Sequence, residues 1–128
     1  MTENSLEAFT TTRTKKKLQE KVAQEKQVIV HCVFNCTAGD TWIRIWPSTY
    51  LIAKDVSHRS ELVIAENIPL APEWTLVANG TTLNFTLIFC GLPHDCTVFD
   101  MVEEIPQPGG FEVSGINRNG TDVYTINL

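Results

Sequence analysis

Polar and apolar residues alternate with a period of two from Gln27 onward. Val28, Val30, Cys32, Phe34 and Cys36 fall on one face of an extended segment, and Ile29, His31, Val33 and Asn35 on the other. A period of two marks a strand, and apolar side chains on both faces predict a central one. Further extended segments are predicted over residues 41–46, 50–54, 61–66, 74–78, 81–89, 96–103, 111–116 and 122–128. Residues 81–89 alternate most cleanly. Leu83, Phe85, Leu87 and Phe89 face a core, and Thr82, Asn84 and Thr86 face out. In the last segment Tyr124, Ile126 and Leu128 point inward.

Turn residues separate these segments. Ala38-Gly39-Asp40 is a turn, and Pro47 ends or bends the second strand because it has no N–H for a ladder. Asn79-Gly80 is the strongest hairpin signal, a type I′ turn with φ > 0 at both central positions. The residues from Asn117 to Gly120 read as another tight turn. Residues 56–60 form a polar loop. Residues 68–72 form a stiff crossover with two prolines, and residues 105–110 a Pro- and Gly-rich linker. Eight or nine short strands with turn signals roughly every 8–12 residues predict an all-β sandwich or barrel. No strand–helix alternation follows Gln27, so a doubly wound α/β fold is excluded.

The first stretch follows a different rule. Residues 5–25 read as an α-helix, capped by Ser5 and firm from Thr14 to Gln24. Its stripe of Leu6, Phe9, Leu18 and Val22 is thin, and the threonines at 10–12 lower its helix propensity. The chain therefore divides into a charged N-terminal arm, residues 1–26, and a β-sandwich domain, residues 27–128. About 100 residues suffice for a sandwich that folds alone.

Charge sharpens this division. The 128-residue chain carries a net −5. The arm holds six basic side chains (Arg13, Lys15, Lys16, Lys17, Lys21, Lys26) against Glu3, Glu7, Glu20 and Glu25, a net +2, which leaves −7 on the remainder. An acidic body repels phosphate backbones, so nucleic acid is not expected as its partner. The Lys15–Lys17 run reads as a solvated helix face. No apolar run reaches the ~18 residues that span a bilayer, and no secretory signal pattern opens the chain. The expectation is a cytoplasmic protein, away from the membrane, with reduced thiols.

Candidate chemistry is sparse. The cysteines form two pairs, Cys32 with Cys36 and Cys90 with Cys96, each accompanied by a histidine, His31 or His94. Thiolate and imidazole suit zinc, but no two-residue knuckle is present and the first pair is spread along one strand face. Buried thiols acting as small apolar side chains fit better. Cys90 and Cys96 flank a turn, so a disulfide remains open as an alternative. His94-Asp95-Cys96 places nucleophile, base and acid types side by side, yet strand neighbours point to opposite faces. No phosphate loop, HExxH or Gly-x-Ser-x-Gly pattern occurs, so no enzymatic activity and no cofactor are expected. Asp95, Asp100, Glu103 and Glu104 read as solvated charge that protects a sheet edge.

One run stands apart. In Trp42-Ile43-Arg44-Ile45-Trp46, inward isoleucines would put both tryptophans and the arginine on one outer face. A guanidinium beside indoles gains cation–π energy, and Trp and Arg dominate interface hot spots. Trp42, Arg44 and Trp46 are therefore the candidate partner face; the alternatives are that the N-terminal helix covers this face, or that the tryptophans are core and the isoleucines lean outward.

The runs at 46–52, 68–72 and 85–89, with Leu92-Pro93 and Phe99-Asp100, resemble small bacterial immunoglobulin-like sandwich domains of unknown function. The resemblance covers roughly residues 27–128 and implies an antiparallel immunoglobulin-like sandwich with a structural or interaction role. The Cys…Trp…Cys framework of true immunoglobulin domains is absent, so only architecture is borrowed. The expected function is a non-enzymatic interaction module that binds a protein partner or pairs with itself. Two alternatives stand beside it. One is a small-ligand or zinc-binding domain using Cys90, His94 and Cys96, with His31 and Asp95 nearby. The other is a carbohydrate-binding module using Trp42, Trp46 and Trp74.

Overall fold

The computed structural model describes residues 26–128. The helix expected over residues 5–25 lies outside the described residues. Nine strands follow in order: β1 (Val28–Asn35), β2 (Thr41–Ile43), β3 (Thr49–Ala53), β4 (Arg59–Glu66), β5 (Thr75–Val77), β6 (Thr82–Phe89), β7 (Val98–Glu103), β8 (Glu112–Asn117) and β9 (Val123–Asn127). No helix is present among the described residues. Seven strands form one sheet in the order β8-β7-β3-β4-β6-β1-β9, and β2 pairs with β5 in a separate ribbon.

The large sheet curls because β4 changes partner midway. Its first half, Arg59 to Glu61, pairs with β3, and its second half, from Leu62, pairs with β6. A register shift between Leu62 and Ile64 marks the bend, as bulges do where a strand turns between layers. The two halves then face each other. Val28, Val30 and Cys32 of β1 and Phe85, Leu87 and Phe89 of β6 pack with Leu51 of β3 and with Phe99 and Met101 of β7. The Phe99 and Tyr124 rings meet edge-to-face at 5.1 Å, joining β7 to β9 across this core.

The structure corrects four expectations. The sheet is mixed, not antiparallel throughout: β9 runs parallel to β1 along Ile29–Val33. The Asn79-Gly80 turn joins no hairpin, since β5 pairs with β2 while β6 pairs with β1 and β4. Only Gly80 of that turn has positive φ (85°), so the turn carries the chain from ribbon to sheet without type I′ geometry. Leu128, expected inward with Tyr124 and Ile126, is exposed, and the turn near Asn117–Gly120 leads between β8 and β9, opposite edges of the sheet. Finally, Asp100 is buried rather than solvated edge charge. It accepts the Gly115 N–H at 2.9 Å and pairs with Lys54 at 3.1 Å.

A polar knot secures the β8–β9 crossing. Arg118 grips Asp122 with two bonds of 2.6 and 3.0 Å and donates to the Pro93 and Cys96 carbonyls. The Tyr124 hydroxyl donates to Asp122 at 3.0 Å and accepts the Asn119 N–H. These bonds satisfy a loop that must pass from one edge of the sheet to the other.

Candidate binding face

The ribbon is anchored to the end of β1. The Cys36 backbone accepts from Gly80 and donates to the Thr81 carbonyl, while its buried thiol lies 3.0 Å from the Gly39 carbonyl and 3.3 Å from that of Val77. Asp40 accepts the Asn79 N–H at 2.8 Å, and Asn79 in return accepts the Gly39 N–H at 3.1 Å. The turn before β2 and the turn after β5 are thus locked together, which sets the ribbon's position.

Register decides what its outer face shows. Trp42 lies opposite Leu76, and Ile43 opposite Thr75. Extending that antiparallel register by one step brings Arg44 against Trp74, and the Arg44 guanidinium indeed lies 3.8 Å from the Trp74 ring centre. It also sits 5.2 Å from the Trp46 ring. Ile45 points the other way and is buried, held by a bridge to Leu70. The period-two reading of 42–46 holds: the isoleucines lean inward, and Trp42, Arg44 and Trp46 share a face. Trp42 and Trp74 are 60% and 52% exposed, and Leu76 is 48% exposed. Arg44 and Trp46 are half-buried.

Two clefts border this face. One, of about 390 Å³, lies between the ribbon and residues 105–111, with Phe34, Ile43, Phe85 and Phe111 among its walls. The other, of about 460 Å³, is lined by Arg44, Trp46, Pro47, Ser48, Ala71 and Pro72. The Trp46 N–H donates to Glu103 at 3.0 Å, which ties the face to the end of β7. The segment at 105–110, expected as a linker, builds one wall of the first cleft.

Trp74 as the main stacking partner of Arg44 is the residue that sequence spacing missed. It is 30 positions away, and only the β2–β5 pairing brings it in. A three-residue strand leaves little local signal for that pairing.

The cysteine and histidine candidates do not converge. All four cysteines are free, and no group of three or more His, Cys, Asp or Glu side chains among the described residues is arranged to hold a metal. Burial pushes the Cys32 thiol up to about 12 and raises Cys96 as well. A thiol held protonated is a poor nucleophile. His94 and Asp95 stand exposed beside buried Cys96. His31 bonds the Thr86 hydroxyl across the β1–β6 pair at 2.9 Å. No helix among the described residues is long and apolar enough to cross a membrane.

No protein-family model, curated protein or solved structure matches this chain.

Proposed function

We propose that this chain is a non-enzymatic interaction module whose β2–β5 ribbon binds a protein partner through Trp42, Trp74 and Leu76, braced by Arg44 and Trp46. The observation that carries this reading is the concentration of apolar surface. Three of the eight exposed large apolar side chains among the described residues stand together here, Trp42 and Leu76 on the ribbon and Trp74 directly before β5. An indole offers about 150–250 Å² of burial, and a contiguous apolar patch on a small domain marks a site of association. The stacked guanidinium holds Trp46 and Trp74 in place before any partner arrives, so little rotamer entropy is lost on binding. An immunoglobulin-like sandwich belongs to the same reading. Short strands in two facing halves support it.

The test compares the native chain with a Trp42→Ala/Trp74→Ala double variant. Sedimentation equilibrium and quantitative co-purification are measured for both. Association present in the native protein and lost in a variant of unchanged thermal stability supports the proposal. A native protein that stays monomeric and retains no partner counts against it.

Carbohydrate binding is a second reading, favoured by the shared cleft between Trp42 and Trp74. Indole fluorescence across a glycan panel tests it. Quenching abolished by Trp42→Ala would move the assignment from protein to glycan.

A further inference from the structure

The three arginines of the described residues are not equivalent. Arg59 holds Glu104 through two bonds of 2.6 and 2.9 Å, and Arg118 holds Asp122 in the same way. Arg44 has no carboxylate partner among the described residues. One Nη donates to the Pro72 carbonyl at 3.1 Å at the surface. Its Nε is the sole buried side-chain nitrogen or oxygen among the described residues without a hydrogen bond. A guanidinium carries five N–H donors, so most of this one's capacity is unused.

Its placement is also unusual. The guanidinium carbon lies 3.8 Å from the Trp74 ring centre and 5.2 Å from that of Trp46, so two indoles crowd it. Arg44 lines both clefts, and the first is largely apolar. Glu103 lines that cleft too, but its Oε2 is engaged by the Trp46 N–H. Residues 27–128 carry a net −7, so the body repels simple anions. A fixed cation in such a body selects anions that also bring apolar surface. Resting on the protein-binding reading above, we infer that Arg44 receives a carboxylate of the partner, presented by an acidic peptide segment whose neighbouring aromatic or aliphatic side chain enters the 390 Å³ cleft. The warrant is charge complementarity: planar guanidinium and planar carboxylate match edge to edge, and the indoles hold the fork ready.

The experiment is a fluorescence titration of the full chain with two blocked tripeptides, Phe-Glu-Phe and Phe-Gln-Phe. They share shape and differ in charge. The Glu peptide binds about tenfold more tightly, the low end for a charge-assisted pair at a half-exposed site. That preference weakens from low to physiological salt, disappears in Arg44→Gln and survives in reduced form in Arg44→Lys, which keeps the charge without the fork. Circular dichroism confirms that both variants fold. Equal binding of the two peptides, or binding of neither, overturns the inference. If Arg44→Gln retains a natural partner that Trp42→Ala/Trp74→Ala loses, the carboxylate inference fails while the proposed function stands.

Discussion

Asp122 shows how one side chain can hold a fold's least local connection. Burial pushes its carboxyl up, but the hydrogen bonds from Arg118 and Tyr124, with the Arg118 charge, outweigh burial and hold it below its ordinary value of 3.8. Asp100 is also held low, chiefly by the Gly115 N–H, against burial and with help from Lys54. A depressed carboxylate stabilises the native state above its unfolded pKa and loses that contribution as pH falls through the folded one. Thermal stability should therefore stay level down to about pH 4 and fall steeply below it. Asp122→Asn should cost about 2–3 kcal/mol at neutral pH, read by urea unfolding, and should flatten the acid limb. The thiols make a second residue-scale test. Cys90 is half-exposed, whereas Cys32, Cys36 and Cys96 are buried, and the Cys32 thiol is pushed up to about 12. A thiol reagent on the native protein should modify Cys90 at least about tenfold faster than the others. Loss of the fast phase in Cys90→Ser checks the assignment.

Among the elements, β8 is the edge whose regularity is broken on purpose. Its pairing with β7 shifts register between Phe99 and Met101, and Gly115 takes φ 70° so that its N–H can reach Asp100. A Cβ at Gly115 would meet nothing within 4 Å. The cost of Gly115→Ala is therefore conformational and not steric, about 1–2 kcal/mol of stability, measured by denaturant unfolding. This bulge explains why Asp100 could not be placed from sequence. It read as solvated edge charge, but a backbone donor from the neighbouring strand covers it. The candidate face divides similarly. The common side of Trp42, Arg44 and Trp46 follows from alternation within one segment. The Trp74 stack follows from a register between two short strands, and nothing in either strand alone specifies it.

At the scale of the whole molecule, the parallel β1–β9 pair closes the arrangement. The last strand joins the first, and Tyr124 and Ile126 add their side chains to the core built by β1, β6 and β7. Removing residues 123–128 would strip one edge of β1 and open the core above Phe99. The truncated chain should lack dispersed amide resonances and show a featureless unfolding curve. A truncated chain that retains a cooperative transition would show β9 to be an accessory. The same topology places the ribbon at the far end of β1, beside the cleft bordered by Phe111 and Leu128. The candidate face is thus carried beside the curled seven-stranded sheet, at one end of its core.

The alternation of Leu83, Phe85, Leu87 and Phe89 was enough to assign an inward face, because a strand's own pleat sets which side chains share a side. The positions of most strands were legible for the same reason, as were the inward isoleucines at 43 and 45. Pairing was not. Residues 79–80 and 117–120 carry hairpin chemistry, yet the strands on either side of each go to different neighbours. A turn fixes only the local direction of the chain, and the choice of partner strand belongs to the packing of the whole core. The stack of Arg44 on Trp74 belongs to that second kind of information. Its residues were visible in the sequence, and only the tertiary pairing of β2 with β5 brought them together.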